Sequence, residues 1–436
     1  MRLLALALLA SPAMATELPA PVTDDMYLPV DRAEAELGQL LFWDPVLSGN
    51  RNISCGTCHH PKFGTGDGLA LGVGEGGIGL GPERHVGDKD IPEERVPRNA
   101  PALFNLGAKE FTRMFHDGRV EVDAARPSGM RTPMDDEMLA GFSGVLSAQT
   151  MFPVLSQDEM AGHYSENEVS RAVRQGIITG EGGAWDLLSQ RVAAIPAYRQ
   201  RFEAVYPEIA DGRAIAFTDI SNAIAAFIAF EWRSDGAPFD AVLRGAATLD
   251  GAAARGMELF YGEAGCSGCH AGPFQTDQDF HAMGVPQFGP GKAARFETHN
   301  HDVGRMRVTG RPEDAYAFRT PSLRNVALTA PYGHTGAIAG LSAFLRQHAD
   351  PKAADREMVL DVFLPAGIGR GDDFIEFDTP GTRAAVLAAV TTPPVSLDEA
   401  DIADLEAFLA TLTDPAAQKG RLGIPETVPS GLPVDR

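Results

Sequence analysis

The chain runs to 436 residues, 44% hydrophobic and 22% charged, which is apolar material for one large core or two moderate ones and too much for a disordered chain. Lys plus Arg number 37 against 59 for Asp plus Glu, a formal net charge of −22 that argues against a nucleic-acid backbone or an anionic membrane surface as partner. Four cysteines are too few to staple a chain of this length, so their positions matter more than their number.

In chain order, Arg2, the apolar stretch Leu3 to Ala10 and the small-residue pattern Ala13-Met14-Ala15 predict a secretory signal peptide over 1–15; the alternative is a buried N-terminal helix. Gly38-Gln-Leu-Leu41-Phe42 then precedes Cys55-Gly-Thr-Cys58-His59, Pro61 and Phe63. The same order returns as Gly256-Met-Glu-Leu259-Phe260, Cys266-Ser-Gly-Cys269-His270, Pro273 and Phe274, so one module occurs twice. From Leu69 to Pro101, six glycines between Gly72 and Gly81 and several prolines after them predict a long loop. Residues 120–144, with mixed charge, Pro127 and Pro133, predict a second.

Ser165 with Glu168 marks a helix start, and Ala223 to Phe230 reads as a wholly buried helix, far short of the ~20 apolar residues of a membrane span. The polar stretch Arg233 to Asp250 marks the boundary between modules. Leu341, Phe344, Leu345 and His348 share one helical face, so His348 points with apolar side chains. Ser396 with Glu399 fits a capping box for a helix carrying Ile402, Leu405, Phe408, Leu409 and Leu412.

All four cysteines belong to two copies of C-x-x-C-H, the spacing at which two thiols add to the vinyl groups of one haem and the next histidine ligates its iron. A zinc site and a pair of disulfides are the alternatives, but the pairs stand far apart in sequence and each carries the adjoining histidine. The reading is a dihaem c-type cytochrome with two covalently bound haem c groups, His59 and His270 being proximal ligands. The expected fold is mainly α, two cytochrome c-like haem domains in tandem with long loops. Its divisions are a signal peptide 1–15, an N-terminal haem domain 16–235 and a C-terminal haem domain 236–436, to which the resemblance described next assigns the peroxidatic and electron-transfer roles.

Beyond the haem motifs, the sequence resembles the bacterial dihaem cytochrome c peroxidase and MauG superfamily over nearly all of the mature chain. The resemblance lies in Leu40-Leu-Phe-Trp-Asp44, Arg98-Asn-Ala-Pro101 with Phe104-Asn105, Phe115-His-Asp-Gly-Arg119, Gln149 through Met160, and Phe318-Arg-Thr-Pro-Ser-Leu-Arg-Asn325 leading to Ala330-Pro-Tyr332. It implies that the N-terminal haem is the peroxide site and that Gln149, Pro153 and Glu159 fall on distal-pocket positions, Glu159 acting as acid and base. The plain alternative for Glu159 is a solvated loop carboxylate. The resemblance also implies a calcium ion between the modules, held by Asn99, Thr329 and Pro331 through the hard oxygen donors calcium favours. Asn99 could instead cap a turn before Pro101.

The sequence departs from the peroxidase pattern in three places. Val73 stands where peroxidases keep a removable histidine ligand, which points to an open, five-coordinate iron as in MauG; His85 nearby is the alternative ligand. His348 occupies the position of the distal ligand of the C-terminal haem, methionine in the peroxidases and tyrosine in MauG, and so predicts a bis-histidine haem with His270, at low potential. His116 replaces the tryptophan that bridges the haems; it either lies between them or hydrogen-bonds a propionate.

The function expected is a periplasmic peroxidase-like oxidoreductase that reduces hydrogen peroxide with electrons from a small donor such as a cytochrome c or cupredoxin. A second reading is a MauG-like enzyme oxidising a residue of a protein substrate. A third, a simple dihaem electron carrier, requires both irons to be six-coordinate.

Overall fold

The computed structural model describes residues 18–135, 137, 140–292, 297, 299–368 and 373–436, so the signal sequence expected over 1–15 lies outside the described residues. The chain is mostly helical, with only short strands. Among the described residues no helix is long and apolar enough to cross a membrane.

The repeated G-x-x-L-F segments build the same helix crossing twice. Helix Arg32–Trp43, capped by Asp31 accepting from the Glu34 amide at 2.9 Å, crosses helix Phe217–Glu231 at Gly38. A Cβ at Gly38 would stand 1.8 Å from the Ala223 oxygen and 2.9 Å from the Phe227 Cβ. Helix Gly251–Tyr261 crosses helix Glu399–Ala410 at Gly256, where a Cβ would stand 1.9 Å from the Asp404 oxygen and 2.9 Å from the Phe408 Cβ. Only glycine allows backbones this close. Phe42 meets Phe227 and Phe260 meets Phe408 at the same 5.2 Å ring separation, so the paired phenylalanines close each crossing alike.

Each crossing seeds its own core. The first gathers Leu41, Trp43, Ile53, Trp185, Phe202 and Trp232, and the second Phe239, Tyr261, Leu405 and Leu412. A third, smaller cluster joins Leu71 of the Gly-rich loop to Phe288 and Ile338, packed against Phe344 and the 358–364 segment. The C-terminal tail returns to the first core, where Val428 is buried. Both Glu231 carboxylate oxygens accept from it, Oε2 from the Arg421 and Leu422 amides and Oε1 from the Gly423 amide. Ser430 donates to Asp44 at 2.6 Å.

The expected buried helix is present as Phe217–Glu231 with no exposed residue. Two helix starts differ from expectation. Asn167, not Ser165, caps Glu168–Arg174 in a box with Ser170, because Ser165 sits at φ 66°, outside capping geometry. Asp398, not Ser396, caps Glu399–Ala410, its carboxylate reaching the Ala400 and Asp401 amides. The Gly-rich loop holds little regular structure, a hairpin of two-residue strands, Gly77–Ile78 against His85–Val86, joined through a 3-10 turn at Gly81–Glu83. Residues 120–144 are not wholly loop: Val120–Val122 and Met130–Arg131 pair with Arg113–Met114 in a three-stranded sheet. Strands this short carry too little alternation to be read from sequence.

Candidate active site

The two cysteine motifs are set up alike. Cys55–Cys58 forms one helical turn, and a Cβ at Gly56 would stand 2.3 Å from the Trp43 indole, so the first core presses directly on the motif. The His59 Nδ1 donates to the Thr65 carbonyl at 3.0 Å and the His270 Nδ1 to the Gln275 carbonyl at 3.1 Å. A carbonyl can only accept, so in each ring Nε2 carries the lone pair a metal needs. Burial lowers the pKa of both rings, keeping them neutral.

All four cysteines are free thiols, which removes the disulfide alternative. Burial pushes Cys55 and Cys58 up to about 12 and Cys266 up to about 11. Nor do the two pairs come together as one metal site: among the described residues the only cluster of three or more such groups joins Cys269 to Asp277 and His281, beyond its motif, and includes no cysteine of the first pair. Free thiols beside a neutral, oriented imidazole are the donor set that covalent haem needs.

His348 lies on helix Leu341–Ala349 with its ring 4.3 Å from that of Phe344. Burial, and then the charge of His270, bring its pKa down to about 4. Gln347, 1% exposed, spans between the Met283 carbonyl, to which it donates at 2.6 Å, and the His348 Nδ1 at 3.1 Å. Gln347 had no signal in the sequence beyond being the neighbour of His348.

Glu159 stands on a π turn, Gln157–Ala161, half-buried in the wall of a cavity of about 1000 Å³. Phe115, Phe152, Pro153, Lys292 and Arg305 share that wall, whereas Gln149 does not, its Oε1 being buried without a hydrogen-bond partner. Burial and then Arg119 and Arg98 push Lys292 down to about 8, with Glu159 acting as a counter-charge. The Gly-rich loop backs this turn: the Glu75 amide donates to the Glu159 carbonyl at 2.9 Å, and a Cβ at Gly74 would stand 2.0 Å from the Asp158 oxygen. Val73 is 1% exposed, and Arg84 donates to the carbonyls of Val73, Gly74 and Gly79. His85 is exposed, its Nδ1 bonded to the nearby Glu83 carbonyl.

Between the modules, Asn99 ties three segments. Its amide N–H donates to the His334 carbonyl at 2.9 Å, its side chain to the Leu69 carbonyl at 2.7 Å, and its own carbonyl accepts from the His116 Nε2 at 3.0 Å. The side chain therefore leaves the turn before Pro101 rather than capping it. Burial and then Arg98 push His116 down to about 4, and its Nε2 is committed to Asn99. Thr329 donates through Oγ1 to the Val326 carbonyl, and Pro331 follows a cis peptide bond.

Two buried groups here were invisible locally. Arg98 is forked onto Asp302 at 2.6 and 2.8 Å and pairs with Asp117 at 2.7 Å. Asp302 lies 204 residues from its partner, with no motif around it. His334 stacks on Phe318 at 3.7 Å, two residues past the Ala330-Pro-Tyr332 run that was read.

Residues 32–248 match the family described as di-haem cytochrome c peroxidase. The chain is 30% identical to cytochrome c551 peroxidase of Nitrosomonas europaea over 308 residues, 70% of each chain. It is 28% identical over 393 residues to methylamine utilization protein MauG of Methylorubrum extorquens, covering 89% of this chain and 81% of MauG. Among solved structures, a MauG-like protein associated with microbial copper homeostasis superposes with a TM-score of 0.57 at 26% identity, over 94% of this chain and 97% of that one. The diheme peroxidase BthA of Burkholderia thailandensis has the same fold, with a TM-score of 0.57 at 20% identity over 98% of both chains.

Proposed function

The chain belongs to the di-haem cytochrome c peroxidase family, as a haem c oxidoreductase of the peroxidase type, and we propose that it reduces hydrogen peroxide to water in the periplasm, drawing electrons from a small redox protein. Cys55, Cys58 and His59 would hold one haem, and Cys266, Cys269, His270 and His348 the other. When bound, the haem irons supply the redox chemistry that carries two electrons to each peroxide.

The rest is done by side chains. Glu159 takes the proton from one peroxide oxygen and returns it to the other, so that the departing oxygen leaves as water rather than hydroxide. Gln149 stays outside the cavity wall, and its buried, unpartnered Oε1 gives it a place beside Glu159 only if the site rearranges when haem is bound. Arg84 holds the Gly-rich loop with Val73 buried, and no histidine lines the cavity, so that peroxide needs no ligand displaced. The tandem division at 235/236 is supported by the two equivalent helix crossings. Asn99, Thr329 and Pro331 are proposed to hold one calcium, the Asn99 cross-link to the His334 segment being the support; metal analysis of the dialysed holoprotein that finds no calcium would remove it.

One asymmetry carries the reading. On the His270 side stands an imidazole held by Gln347, His348, whereas Glu159, whose charge acts on Cys58 of the other motif, lines a cavity with no histidine in its wall. EPR of the oxidised protein tests it: one high-spin and one bis-histidine low-spin signal, both altered by peroxide, are expected. Two low-spin signals indifferent to peroxide would make the protein a carrier. The MauG-like reading is favoured by Val73, by the non-methionine His348 and by the 28% identity to MauG over 89% of the chain. Peroxide turnover with reduced cytochrome c supports the peroxidase; oxidation of a partner's side chain without such turnover supports the alternative.

A further inference from the structure

Residues 358–364 run extended across the third hydrophobic cluster with strict alternation. Met358, Leu360, Val362 and Leu364 pack inward, while Val359, Asp361 and Phe363 face solvent. Val359 is 79% and Phe363 58% exposed, unusual for side chains of this size. From Val359 to Leu364 the backbone forms no hydrogen bond to another backbone segment among the described residues. It is an open edge held only by its inner side chains.

The 77–91 loop extends the patch. Gly367 packs on Val86, where a Cβ would stand 3.2 Å away, and Arg95 binds both the Pro365 carbonyl and Asp373. Ile78 and Ile91 of this loop are each more than half exposed as well. The same segments carry the exposed carboxylates Glu83, Asp88, Asp90, Glu357, Asp361 and Asp378 against the exposed cations Lys89, Lys352 and Arg356. Arg84 and Arg95, the other two arginines there, are buried and turned inward.

The inner side of the strap leads to His348. Met358, Leu360, Val362 and Leu364 belong to the cluster that includes Phe344, whose ring lies 4.3 Å from the His348 imidazole. We propose that the 358–364 strap, with the 77–91 loop beside it, is the docking surface for a small electron-donating protein whose apolar contact face is ringed by lysines. The proposal rests on the reading of the His270/His348 side as the point of electron entry. Each docking delivers one electron as the donor is oxidised, and two dockings supply the two electrons and accompany the two protons that turn one peroxide into two waters. A second copy of this chain is a poor occupant, since a net charge of −22 would meet the same charge across an acidic rim.

The test uses the holoprotein, with cationic mono-haem cytochrome c as probe. Phe363→Ser and Asp361→Lys, both at exposed positions, should each weaken binding of the redox-inactive zinc-substituted cytochrome at least fivefold at low ionic strength. They should lower kcat/KM for the reduced cytochrome by the same factor and leave turnover with a small-molecule reductant unchanged. No binding to the wild type, or a Kd that neither substitution moves, overturns the docking surface. A wild type that lacks peroxide turnover even with the small reductant overturns the peroxidase reading instead, and the binding measurement still decides the surface on its own.

Discussion

Glu159 owes its place to a π turn, a rare backbone form that turns its side chain into the cavity while its carbonyl is held by the Glu75 amide. Glu159→Gln keeps the shape and removes the proton acceptor. Steady-state assays should find peroxide turnover lowered about 10²- to 10⁴-fold with both haems still attached. Arg98 is the structural counterpart, one buried guanidinium between two buried carboxylates. Burial alone would raise Asp117 and Asp302, but Arg98 more than offsets it and holds both well below the usual range. Their stabilisation is therefore complete above the unfolded value near 3.9 and is lost as pH falls below it. Arg98→Met strands Asp302 and leaves Asp117 with Arg119 alone, and should cost about 3–5 kcal/mol at pH 7. A melting series from pH 3 to pH 7 checks the substitution, the wild type losing its advantage toward the acid end. The sequence showed Arg98 and Asp117 within motifs, but not their bond to Asp302, which depends on a fold closure across 204 residues.

At the scale of elements, glycines decide how closely segments approach. Gly38 and Gly256 let paired helices cross backbone to backbone, and Gly74 lets the Gly-rich loop lie against the Glu159 turn. Gly74→Ala would put a methyl group 2.0 Å from the Asp158 oxygen, so the turn must shift. A displacement near 1 Å at a catalytic group costs up to about 100-fold, so turnover should fall roughly 10- to 100-fold while the haem spectrum of the oxidised protein persists. Periodicity located the helices, but their caps moved by two residues because Asn167 and Asp398 had better backbone geometry than the serines before them. The strands at 120–122 and 130–131 were missed because two or three residues form a strand only when a neighbour such as Arg113–Met114 is already in place.

Over the whole molecule, the C-terminal tail ties the second half of the chain back to the first. The tail after Lys419 supplies all three amides that satisfy Glu231, which is 2% exposed and whose pKa burial raises despite those bonds. Asp44 also loses Ser430 if the tail is removed, and Thr57, inside the first haem motif, loses Asp435. A chain ending at Lys419 should be destabilised by at least about 3 kcal/mol, the cost of a buried charge left without partners. Denaturant unfolding followed at both haem bands should show the loss in the Cys55–His59 half first.

The sequence by itself determined the chemistry that spacing encodes: two thiol pairs, two adjoining histidines, a duplicated module and a mainly helical chain. These are legible because ligation and helix packing constrain residues a few positions apart. Only the tertiary structure decided what depends on distant segments meeting: the Met283 carbonyl on Gln347 beside His348, Asp302 under Arg98, Asn99 bonded to both His116 and the His334 segment, and the tail on Glu231. Such contacts arise from chain closure around two glycine-mediated helix crossings, and no local pattern records which side chains that closure brings together.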